Sequence, residues 1–214
     1  MIDQKTIKIY LYTRFERIWH WFQAIVIVIL ILTGLEIHGT YSLLGFQTAV
    51  KIHNYLGLTW LTLFAFFVFW LLTTGEWRQY IPTTKKLFLV VRYYARDIFK
   101  GGPHPVQKSK HAKHNPLQRL AYLGISAMLL PVQMMTGLLY YFYNDLQGLF
   151  PLSVLAGIHT LIALFLLNFL IIHLYMITTG HSILGHIAGM ITGWEEIYET
   201  TAIEEWETKA VRKN

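Results

Sequence analysis

Four histidines, His20, His53, His159 and His173, fall inside or at the ends of long apolar stretches. An ionisable group in hydrocarbon is costly, so imidazole there points to function, and imidazole is a good ligand for haem iron. His159 and His173 are 14 residues apart, four turns at about 3.5 residues per turn of a left-handed bundle, so both face one stripe of their helix. At about 1.5 Å per residue they are separated axially by roughly 21 Å. In a hydrocarbon core about 30 Å thick, that spacing predicts two metal centres in opposite leaflets. By depth the histidines sort into an outer pair, His53 with His159, and an inner pair, His20 with His173. Two histidines on one haem fill both axial positions, which leaves electron transfer as the chemistry. Zinc calls for a tighter group of three or four ligands. Taken singly, each histidine reads equally well as a hydrogen-bonded packing residue; it is the four at matched depths that favour ligation.

Positioning such pairs requires membrane-spanning helices, and the composition supplies them. The chain is 54% hydrophobic and 14% charged, with a mean hydropathy of +0.40, outside the range of soluble domains. Four stretches reach the roughly 20 apolar residues a span needs: residues 18–37, 54–72, 117–141 and 154–177. The first is too long for the apolar region of a signal peptide and no small-residue cleavage site follows it, so it reads as retained. The expected fold is all-α, an integral membrane four-helix bundle.

Basic residues set its orientation. Ten of the 18 Lys and Arg lie between Gly75 and Arg119, and none lies in the connections 39–50 and 142–153. Lys5, Lys8, Arg14 and Arg17 precede the first span, and Lys209, Arg212 and Lys213 end the chain. Both termini are therefore expected in the cytoplasm, with the central connection. The net charge of +6 is accounted for by topology and anionic lipid headgroups, and nothing points to nucleic acid. With no cysteine, disulfides, iron–sulfur clusters and covalently attached c-type haem are excluded.

Within the second connection, Pro82 to Phe99 mixes basic with apolar and aromatic residues and reads as an interfacial helix with snorkelling Lys and Arg. Residues 101–116 read as a solvated loop. The expected domains are 1–193, the membrane unit, and 194–214, an acidic cytoplasmic tail in which Glu195, Glu196, Glu199, Glu204, Glu205 and Glu207 imply an amphipathic helix. Leu32-Thr33-Gly34-Leu35 is echoed by Met135-Thr136-Gly137-Leu138, and glycine in a span admits a neighbouring helix or a flat cofactor. His104, His111, His114, His181 and His186 read as solvated or headgroup-facing. His38, beside Glu36, reads as an interface residue or a propionate partner, the interface being favoured.

Arg14-Phe-Glu-Arg-Ile-Trp-His-Trp21, Lys51-Ile-His-Asn54, Thr74-Gly-Glu-Trp-Arg-Gln-Tyr-Ile-Pro82 and the His159, His173 spacing together resemble the di-haem cytochrome b subunits of thiosulfate reductases. The wider group includes the cytochrome b subunits of respiratory formate dehydrogenases and nickel–iron hydrogenases, and is b561-like. The resemblance covers the chain to about Gly193. It implies two haem b groups in a bacterial cytoplasmic (inner) membrane, held by His53 with His159 and by His20 with His173, in agreement with the depths. It also implies a menaquinone site beside the inner haem, which carries Asn115 and Gln118 over as quinone contacts; Asn115 equally suits a helix cap ahead of Pro116. Arg14, Arg17 and Arg119 are candidate partners of haem propionates, since guanidinium suits carboxylate bidentately, and anchoring the topology explains them equally well.

The function expected is electron transfer across the bilayer between the quinone pool and a periplasmic redox partner. The resemblance favours menaquinol oxidation for a thiosulfate-reductase-like complex. The partner must supply the catalytic centre, as iron–sulfur and molybdenum subunits or a multihaem cytochrome c. A stand-alone transmembrane ferric reductase of the b561 type and a non-redox membrane anchor are the rivals. The outer connections carry no basic residue to hold an anionic ferric chelate.

Overall fold

A computed structural model describes residues 6–100, 105–106, 113–146, 151–178 and 184–198. Its helices include four long and apolar enough to cross a membrane: Arg14–Ile37, Phe46–Thr74, Pro116–Tyr141 and Leu152–Ile177. In lipid every backbone N–H and C=O needs an internal partner, which a continuous helix provides. Ile18, Ile25, Phe66, Leu72, Leu161 and Ile171 all point outward, as lipid-facing side chains do.

In order, the elements are β1 (Thr6–Tyr10), α1 (Arg14–Ile37), α2 (Phe46–Thr74), α3 (Leu87–Arg92), α4 (Pro116–Gly124), α5 (Leu130–Tyr141), α6 (Leu152–Ile177), α7 (Gly185–Thr192) and β2 (Trp194–Tyr198). The third span is α4 and α5 joined through a wide helical turn at Ile125–Leu129. Pro131 has no N–H to return to the carbonyl of residue 127, and the ladder widens where that bond is missing.

The chain folds as two compact units. One is formed by residues 14–68 and 128–183 and contains α1, most of α2, α5 and α6. In it Trp19 of α1 stacks flat on Phe67 of α2, centroids 5.0 Å apart. The turn between these helices is organised by Glu36, a buried side chain. One carboxylate oxygen accepts the N–H groups of Leu43, Leu44 and Gly45 at 2.8, 2.6 and 2.8 Å. Gly45 takes a left-handed φ of 81°, and α2 starts behind it at Phe46. This span therefore opens eight residues ahead of the expected start at residue 54: the turn lets the helix begin among polar residues that hydropathy alone passes over.

The other unit comprises 1–13, 69–127 and 184–214, within the described residues. Here β1 pairs antiparallel with β2, Lys8 opposite Glu196. Residues 194–198 are therefore a strand rather than the start of an acidic helix. Gly193 ends α7 at φ 88°, and its carbonyl takes the N–H groups of Leu11 and Tyr12 at 2.8 and 3.2 Å. A Cβ there would stand 2.8 Å from the Tyr12 carbonyl oxygen, so glycine is required to bring the two chain ends together. Glu199, Glu204, Glu205 and Glu207 lie outside the described residues, as do His104, His111, His181 and most of the 101–112 loop. In the central connection, helix runs from Leu87 through successive turns to Lys100, later than the expected start at Pro82. Val90 and Tyr93 are buried while Phe88 and Phe99 are exposed.

Candidate metal centres

All four span histidines belong to the first unit described above, and they form two pairs. His20 of α1 faces His173 of α6 with ring centroids 6.3 Å apart. His53 of α2 faces His159 of α6 at 6.2 Å. Imidazole nitrogen binds a transition metal at about 2.0–2.1 Å and lies roughly 1.1 Å from its ring centre, so two imidazoles on opposite sides of one metal ion have centroids about 6.3 Å apart. Both pairs meet that requirement. Among the described residues no group of three or more His, Cys, Asp or Glu side chains gathers to hold a metal. Each pair would thus be able to hold an iron whose remaining positions belong to a macrocycle.

The His53–His159 pair is supported twice over by the same device. Thr33 Oγ1 lies 2.9 Å from His53 Nδ1, and Thr136 Oγ1 lies 3.0 Å from His159 Nδ1. A threonine hydroxyl has one hydrogen to give. Thr33 Oγ1 sits 2.8 Å from the Ile29 carbonyl and Thr136 Oγ1 2.8 Å from the Val132 carbonyl, the usual back-bond of a helical threonine. Each hydroxyl is then an acceptor toward its histidine. Nδ1 carries the ring proton and the Nε2 lone pair is left for a metal.

Gly34 and Gly137, next in sequence to those threonines, open the space beside the rings. A Cβ on Gly34 would meet His53 Cε1 at 3.5 Å, and one on Gly137 would meet His159 Cε1 at 3.2 Å. The repeated Thr-Gly is therefore a histidine seat. The echo was visible in the sequence; its threonine half carried no reading there, and Gln133 had no signal at all. Gln133 is buried, and its Nε2 lies 3.1 Å from His159 Nε2. A metal held on that nitrogen would take the place of this bond.

The His20–His173 pair has aromatic surroundings. His20 meets Trp21 edge to face at 5.3 Å, and His173 lies over Phe169 at 5.8 Å. His20 Nδ1 is buried without a hydrogen-bond partner among the described residues.

The remaining expected site residues divide between the units. Arg14 and Arg17 stand in the first turn of α1, six and three residues before His20. Arg119 is fully buried in the other unit, its Nε donating to the His114 carbonyl at 3.3 Å. Asn115 and Gln118 cap α4 reciprocally: Gln118 N–H donates to Asn115 Oδ1 at 2.9 Å and Asn115 N–H to Gln118 Oε1 at 3.0 Å, with Pro116 in the first turn. His38 Nε2 pairs with Thr160 Oγ1 at 3.2 Å, and His186 Nδ1 with buried Glu195 at 3.0 Å.

Residues 11–193 match the family described as "Prokaryotic cytochrome b561". A protein of Escherichia coli (strain K12) described as "Putative cytochrome YdhU" is 32% identical over 198 residues, covering 87% of this chain and 74% of its own length. No solved structure matches. Four membrane-crossing helices, paired intramembrane histidines and this match agree, and the chain belongs to the prokaryotic cytochrome b561 family of haem-b-binding membrane cytochromes.

Proposed function

We propose that this cytochrome carries electrons across the bilayer on two b-type haems, between the quinone pool on the cytoplasmic side and a periplasmic redox partner. The observation that carries this is the pairing of His20 with His173 and of His53 with His159 at 6.3 and 6.2 Å, with both α6 ligands on one helix. Haem iron held there supplies reversible one-electron carriage. The protein's part would be to hold each haem through two histidines, leaving no position open to a substrate, and to surround the centres with apolar side chains that keep water out.

Ten basic residues in the central connection and more at the two ends support cytoplasmic termini and an inner-membrane location. On that orientation His20 and His173 hold the cytoplasmic-side haem. Arg14 and Arg17 then lie within a turn or two of His20 as propionate partners. Asn115 and Gln118 are assigned to the quinone headgroup, and Gln118 is the better placed of the two. Capping uses its Oε1 and leaves its Nε2 without a partner among the described residues, a donor suited to a quinone carbonyl. Quinol oxidation on behalf of a thiosulfate-reductase-like complex follows from the sequence resemblance, with iron–sulfur and molybdenum subunits or a multihaem cytochrome c as the partner.

The test is a reduced-minus-oxidised spectrum with a haem-to-protein ratio on the purified chain, then addition of a menaquinol analogue. Two b-type haems per chain, reduced by the quinol, are expected. A colourless protein overturns the reading.

A further inference from the structure

We infer that Thr33 and Thr136 are positioning residues that set the reduction potential of the His53–His159 centre and leave the His20–His173 centre untouched. This rests on the two-haem reading above. In each seat the Oγ1 of a buried threonine lies 2.8 Å from the Ile29 or Val132 carbonyl oxygen of its own helix, to which it donates. Its oxygen is left to accept from histidine Nδ1 at 2.9 or 3.0 Å.

An acceptor on Nδ1–H draws the ring toward imidazolate character and makes Nε2 a stronger donor to iron. A stronger donor stabilises the ferric over the ferrous state, so each hydroxyl lowers the potential of its haem. The two threonines come from different helices, α1 and α5, and act on the two opposite ligands of one centre, so their effects fall on the same couple. At the other centre no hydroxyl takes this part among the described residues; Trp21 and Phe169 line those rings instead. The chain thus contains two bis-histidine centres with different ligand support.

The experiment is a spectroscopic redox titration of the purified cytochrome and of Thr33→Val, Thr136→Val, Thr33→Ser and Thr136→Ser, with His159→Ala identifying which couple belongs to the His53–His159 haem. Each valine variant is expected to shift the ferric-to-ferrous equilibrium of that haem about ten-fold toward ferrous, a rise of about 59 mV for a one-electron couple. The serine variants are expected to stay near the parent value, and the other couple not to move. Both haems retained with neither couple shifted overturns the inference. Should the valine variants lose the haem, Thr33→Ala and Thr136→Ala, which leave room for the ring, are titrated instead. Haem loss that serine also shows makes the role one of packing and overturns the inference. Failure of the two-haem reading is distinct, because the parent protein itself would then lack two couples.

Discussion

Gly137 stands so close to His159 that a methyl group on it would approach the ring at 3.2 Å, while the equivalent group on Gly34 would meet His53 at 3.5 Å. The first distance is too tight to be absorbed without movement of the ring; the second is ordinary contact. Gly137→Ala is therefore expected to lose a large share of the His53–His159 haem, and Gly34→Ala to retain nearly all of it. The haem-to-protein ratio of the two purified variants checks this, and equal retention would show that the seat is not sterically tuned.

The pairing predicts which losses go together. His53→Ala and His159→Ala should each leave one haem with the same spectrum and potential, and His20→Ala and His173→Ala should each leave the other. Potentiometry on the four variants decides it. Both haems surviving in His159→Ala would mean the pairs are wrongly assigned.

Gln118→Glu separates the cap from the quinone. A carboxylate still accepts the Asn115 N–H, so helix α4 keeps its start and the thermal midpoint should hardly change, whereas Asn115→Ala should cost about 1 kcal/mol of stability. The amide donor is gone in Gln118→Glu, and the KM for a menaquinol analogue is expected to rise several-fold at near-constant stability. An unchanged KM would reduce Gln118 to a helix cap.

Glu36 holds three backbone N–H groups on one carboxylate oxygen, and charge-assisted bonds of this kind are about twice as strong as neutral ones. Glu36→Gln should lower the thermal midpoint in detergent and Glu36→Ala should lower it further, with haem content falling only as the protein unfolds. A midpoint unaffected by either change would leave the turn held by Gly45 alone.

The facing of the histidines and the spans were legible in the sequence because both depend on local pattern: a run of apolar residues, and histidines at helical spacing and matched depth within it. What was hidden depends on partners distant in the chain or on chemistry that looks generic. The strand at Trp194–Tyr198 forms only because Thr6–Tyr10 lies beside it, and five residues rich in glutamate do not announce such a partner. Thr33 and Thr136 read as ordinary helical threonines, since back-bonding to the preceding turn is what threonine in a helix usually does. That their oxygens also face a histidine on another helix required the packing of α1 on α2 and of α5 on α6. Similarly, α2 begins at Phe46 because the carboxylate of Glu36, ten residues earlier, gathers the turn, a relationship that hydropathy does not register.

Helix α6 acts as a ruler. It runs unbroken from Leu152 to Ile177, and between His159 and His173 there is neither glycine nor proline, so the distance between the two ligands is built into one rigid rod. Electron tunnelling falls off steeply with distance, and a gap defined by separate helices would drift whenever they slid past one another. With two haems held as proposed, sliding of α1 or α2 would alter the clamp on one centre without altering the length of the gap. The same rigidity makes the register unforgiving: inserting a single residue between the two histidines would turn His173 by about 100° away from His20, so on the two-haem reading the spacing of 14 is as necessary as the histidines themselves.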